Sequence, residues 1–255
     1  MDYFVKPGSI VRHIWGNGDT ILFIFAGASA EFALNKAVDW LYFTGKLPSD
    51  PLGRLFSTVS YARQIVFSEH KAALQAIDKI TSIHKAVENQ RESQIPDWAY
   101  LDVLFMLIDY SIRAYEVLER QLSDEEKADV FDVFQRVGLR MNLQGLPASY
   151  PDWIIMREEH LKENLANSHF TTDLYKQYRD HLGLIRYEIL IEAQVMVVPK
   201  RVNRLLSLGE FPWLSPVLAI YKLSRVVKMD RFIKNIILPK AYQKEIEDLD
   251  VDLDV

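Results

Sequence analysis

The sequence predicts an all-α protein, a single globular multi-helix domain of about eight helices. Three observations carry that expectation. Apolar residues recur at three- and four-residue spacing along most of the chain, Asn-Gly hairpins and long alternating stretches are absent, and helix-start signals punctuate the sequence repeatedly. At 255 residues the chain can bury one sizeable core. The domain is expected over residues 1–244, followed by an acidic tail, EIEDLDVDLDV, at residues 245–255.

The elements follow in order. TILFIFAGASAEFAL, residues 20–34, is the most apolar run; it falls short of the ~20 residues of a spanning helix and Glu31 interrupts its end, so it reads as a buried helix within a helical segment over about residues 19–44 that has room for a break. Asp50 as N-cap and Pro51 at the first helical position start the next helix, with Leu55, Val59, Ala62 and Val66 at helical spacing. Ser68 is the expected N-cap of the helix after that, whose face carries Leu74, Ile77, Ile80, His84 and Val87. A long helix over residues 96–120 is apolar on most sides and is expected at the centre. Ser123 and Glu126 have the spacing of a capping box, in which each side chain satisfies the other residue's free N–H. YPDWIIMREEHLKENLAN forms another helix after a proline-containing turn, and a helical pattern from residue 172 stops at Pro199. Residues 221–240 form a basic amphipathic stretch carrying Lys222, Arg225, Lys228, Arg231 and Lys234. It reads as a solvated helix balanced by the acidic tail, or as a peripheral contact with an anionic membrane.

Composition narrows the chemistry. A net charge of −5 argues against a general nucleic-acid binder. With no cysteine, the chain has no disulfide, thiol nucleophile, iron–sulfur cluster or thiolate-ligated haem. The N-terminus lacks the pattern of a secretory signal, and the expected compartment is cytoplasmic. There is no Gly-x-Ser-x-Gly elbow and no Walker loop, and GNGDTI lacks the third glycine of a dinucleotide fingerprint. The residues three before the six histidines are Ile10, Phe67, Thr81, Arg157, Ala166 and Tyr178, so the Glu-x-x-His pairs of a di-iron bundle are missing.

His84 is the histidine that stands out, because it lies on an apolar stripe. One reading is a core histidine with a satisfied hydrogen bond; the other is a ligand, since haem iron needs only one protein nitrogen on its proximal side. Arg54 and Thr58 are four apart and share a helix face with Tyr61 and Ile65. They could bind a carboxylate, a haem propionate or iron-bound oxygen; alternatively Arg54 is solvated and Thr58 bonds back to its own helix.

DPLGRLFSTVSYARQIVF, KITSIHKAV, AYEVLERQLSDEEKADVFDVFQRVGLRM and GLPASYPDW resemble, in order and spacing, the catalytic domain of the rubber oxygenases (latex-clearing proteins). That family includes the oxygenases that cleave a prenyl side chain in mycophenolic acid biosynthesis. The resemblance covers residues 8–170 best. It implies an all-α domain that binds haem b, with His84 as the iron ligand and with Arg54 and Thr58 on the distal side. The implied activity is that of an oxidoreductase bringing dioxygen to a hydrophobic, unsaturated or isoprenoid-like substrate. Three positions depart from the family pattern. Ser57 stands where latex-clearing proteins carry a lysine, Asp102 and Leu104 stand where many members have Trp-x-His, and Asp39 is only the nearest match to the family's acidic base. Those departures keep a second function open: a non-catalytic helical module that binds a lipophilic ligand or a partner protein without iron.

Overall fold

The computed structural model describes residues 2–45, 49–209, 211–213 and 216, and leaves aside the side chains of residues 51, 52, 54 and 55. The basic stretch at 221–240, the acidic tail at 245–255 and the Arg54 side chain therefore lie outside the described residues. Within them the protein is all-α, with ten helices and no strand beyond two isolated bridges. These are α1 (Ile10–Trp15), α2 (Gly18–Leu34), α3 (Val38–Phe43), α4 (Pro51–Phe67), α5 (His70–Arg91), α6 (Asp97–Leu118), α7 (Asp124–Arg140), α8 (Tyr150–Glu163), α9 (His169–Val197) and α10 (Lys200–Leu206).

α2 is the axis of the fold. Asn17 starts it, its side chain accepting the Thr20 N–H at 3.0 Å. The helix packs most extensively against α6 and α9, and residues on nearly all of its sides are buried. That explains why its sequence is apolar all round. Gly27 makes the close packing feasible: a Cβ there would overlap the Tyr110 ring of α6 and press on Val197 of α9. Trp15, Phe105, Tyr110 and Ile77 are among the large side chains sealed in the resulting core. Trp15 keeps its indole N–H satisfied by donating to Ser111 Oγ at 3.1 Å.

Local signals place the other elements. Asp50 caps α4 by accepting the Gly53 N–H at 2.8 Å, with Pro51 at the first helical position. The Ser123–Glu126 capping box opens α7 with both reciprocal bonds present. The segment over residues 19–44 breaks at Asn35, which leaves helical geometry and turns its side chain to accept the Ala37 N–H and to donate to Asp102. Other boundaries differ from the sequence reading. Ser68 closes α4 rather than opening α5, whose N-cap is Glu69 with no side-chain bond. α9 breaks at Gly183, whose φ of 70° belongs to the left-handed region. α1 and α10 are six and seven residues long, too short for periodicity to register. Among the described residues no helix is long and apolar enough to cross a membrane.

Candidate functional site

α4 and α5 form an antiparallel hairpin with two unlike ends. Near the turn, Val59, Ala62, Ile65 and Val66 of α4 and Ala73, Ala76 and Ile77 of α5 are buried in the core. Toward the open end, before residue 59 and after residue 77, none of the described hairpin residues is fully buried. Thr58 and His84 both lie in this open half, and both are half-buried. Thr58 and Tyr61 share a helix face, and Lys79 Nζ of α5 sits 5.7 Å from the Tyr61 ring centroid. The backbone of Arg54 continues that face one turn earlier.

His84 follows Ile80 on α5, and Val87 follows His84. Its Nδ1 is sealed from solvent, so the accessible surface of this half-buried residue lies elsewhere. Its ring meets the ring of Tyr100, in the first turn of α6, edge-on at 5.2 Å between centroids and 60° between planes. The Tyr100 hydroxyl donates to Glu88 Oε1 at 3.2 Å, and the Ile95 N–H donates to the same oxygen at 2.9 Å. Burial and the neighbouring Glu88 carboxylate push the Tyr100 phenol above its ordinary value, so it stays a donor at neutral pH. Farther along α5, Arg91 donates to Asp39 Oδ2 at 2.7 Å and lies 4.1 Å from the Trp40 ring centroid. Asp39, the acidic residue singled out from the sequence, is thus brought to the open end of the hairpin already held by a guanidinium.

Deeper in the molecule is a charge network that the sequence reading missed. Arg157 of α8, 4% exposed, donates to both carboxylate oxygens of Glu31 on α2, at 2.6 and 2.5 Å. It also reaches Asp109 Oδ2 on α6 at 3.0 and 3.1 Å. Arg113 donates to the other Asp109 oxygen at 2.6 Å, and the Tyr110 hydroxyl donates to Glu31 at 2.8 Å. Burial opposes the Asp109 charge, but the Arg157 and Arg113 guanidiniums outweigh it and hold the carboxyl below the usual range. Burial likewise opposes the Arg157 charge, and Glu31 and Asp109 hold the guanidinium well above its ordinary value. An adjoining cavity of about 300 Å³ is lined by residues that include Asp109, Arg113, Tyr150, Trp153 and Arg157, and none of its lining residues comes from α4 or α5. The sequence did carry a signal, because Glu31 and Asp109 are lone acids in apolar runs and a buried charge demands a partner.

The departures at residues 102 and 104 are built into the core. Asp102 is buried and accepts from Asn35 at 2.7 Å and Asn164 at 3.1 Å, with His160 Nδ1 2.6 Å from its Oδ1. Leu104 is buried close to Gly138 of α7, where an added Cβ would press on it. These residues tie helices together.

Haem, the cofactor that the resemblance implies, requires one protein nitrogen and apolar surroundings. His84 provides an imidazole with one nitrogen shielded, flanked by Ile80 and Val87 and braced by an aromatic ring. Among the described residues no group of three or more His, Asp or Glu stands together as a ready metal-ligand set. In residue type the single imidazole of His84 fits haem, which brings its own equatorial donors. No individually curated protein matches the chain. Residues 15–227, most of the sequence, match the family described as ER-bound oxygenase mpaB/B'/rubber oxygenase, catalytic domain, and the chain belongs to that oxygenase family.

Proposed function

We propose that the protein is a haem b-dependent oxygenase acting on a hydrophobic, unsaturated or isoprenoid-like substrate, with the open end of the α4–α5 hairpin as its active site. One observation carries this reading: Thr58 and His84, the two described residues that the family pattern marks, share the half of the hairpin that the core leaves uncovered. When bound, haem supplies the activation of dioxygen. His84 would hold the iron through its imidazole. Thr58 would donate a hydrogen bond within the site, and Arg54 would supply a fixed positive charge for a propionate or for oxygen. The half-buried apolar residues of α4 and α5, Phe56 and Ile80 among them, give a lipophilic chain a surface that excludes water.

The Asp39 carboxylate at this end of the hairpin is engaged by Arg91 at 2.7 Å. Ser57 is exposed and leaves no lysine to cap the distal position. The test is haemin titration of the purified protein, followed by incubation with polyisoprenoid and short alkene substrates under dioxygen. Uptake of one haem per chain and oxygen-dependent cleavage products support the reading. A protein that neither contains haem nor takes up haemin overturns it and favours the iron-free lipophilic-ligand module.

A further inference from the structure

We propose that Tyr100 is a positioning residue for His84: its ring fixes the plane of the imidazole, and Glu88 in turn fixes Tyr100. The inference rests on the reading of His84 as the haem ligand, and it adds a control over that ligand from outside the hairpin.

Three contacts close a small circuit. The His84 and Tyr100 rings meet edge-on at 5.2 Å, a geometry that favours one relative orientation because the positive edge of one ring faces the π-cloud of the other. Rotation of the imidazole about its last torsion breaks that contact. The Tyr100 hydroxyl is anchored on Glu88 Oε1, and the Ile95 N–H anchors the same oxygen from the loop between α5 and α6. Glu88 lies four residues after His84, so the residue that holds Tyr100 stands one turn along the same helix face. Any tilt of the start of α6 against the end of α5 is thereby passed to the imidazole plane. A phenylalanine would supply the ring edge but not the anchor, which gives the hydroxyl its role. Groups that orient a ligating histidine tune the metal as well as hold it.

The experiment uses the full chain and three variants, Tyr100→Leu, Tyr100→Phe and Glu88→Gln. The first readout is the His84 imidazole resonances of the haem-free protein, assigned by their loss in His84→Ala. Tyr100→Leu is expected to shift them strongly through loss of the ring current, Tyr100→Phe to broaden or shift them less, and Glu88→Gln to leave them near wild type, since the amide oxygen still accepts both bonds. The second readout is the electron paramagnetic resonance spectrum of the haemin-loaded ferric protein, whose g-anisotropy reports the imidazole plane. It should change in Tyr100→Leu and stay near the wild-type spectrum in Glu88→Gln. Unchanged His84 resonances in a folded Tyr100→Leu protein overturn the proposal. So does an unaltered ferric spectrum in a haem-loaded Tyr100→Leu protein. Should no variant, nor the wild type, take up haemin, the function proposed above falls, while the His84 resonances still decide the positioning role.

Discussion

The Arg157 network and the open end of the α4–α5 hairpin are both polar features of an apolar helical protein, and they are built on opposite principles. In the network every charge has a counter-charge within 3.1 Å, and the guanidinium is 4% exposed. Three helices far apart in sequence supply the partners. At the open end of the hairpin Thr58 and His84 are half-buried, and none of the described hairpin residues before residue 59 or after residue 77 is sealed in the core. Buried charges paired among themselves hold a fold together, whereas polar groups at an uncovered edge lie within reach of solvent or a ligand.

The sharpest way to break this contrast is to exchange the roles. Arg157→Met leaves Glu31 and Asp109 as buried carboxylates without their shared cation, and should cost about 3–5 kcal/mol of stability in urea unfolding. His84→Ala should cost less than about 1 kcal/mol in the same assay, because the residue is only half-buried. If the histidine variant proves the more destabilised of the two, the division into structural core and open site is wrong. Gly27→Ala tests the axis that supports both regions: the new methyl group meets the Tyr110 ring, and a loss of about 1–3 kcal/mol is expected. The network should also show in acid unfolding. The Asp109 pKa is depressed in the folded state, so its contribution is fully present above the ordinary carboxylate range near ~4 and is lost as pH falls through the folded value. In Asp109→Asn that acid sensitivity should weaken. A further small effect belongs to a local device remote from both regions, since Ser123→Ala removes one half of the α7 capping box and should cost about 1 kcal/mol.

The same contrast explains what could be read from sequence. Helix periodicity and local start signals are short-range, so Asp50–Pro51, the Ser123–Glu126 box and the buried character of residues 20–34 were legible. Ser68 misled because a small polar residue suits either end of a helix, and extended backbone there ends α4 one residue before Glu69 begins the next cap. A break within residues 19–44 was legible, but its place at Asn35 was not, because the side chain that holds Asn35, Asp102, is 67 residues away. Glu31, Asp109 and Arg157 could be flagged singly but not joined, since only tertiary packing brings α2, α6 and α8 together. At the hairpin the apolar stripe around His84 was visible from spacing, and the family pattern singled out Thr58 and Arg54 beside it. The ring of Tyr100, across a loop and on another helix, was not visible.

The central claim is that the open end of the hairpin holds haem through His84. The most direct measurement is the Soret absorbance of wild-type and His84→Ala proteins, each purified fresh and then titrated with haemin. A Soret band in the wild type that is lost in a folded His84→Ala protein is the predicted result. A His84→Ala protein that keeps the same band at the same stoichiometry, or a wild type that never acquires one, would contradict it.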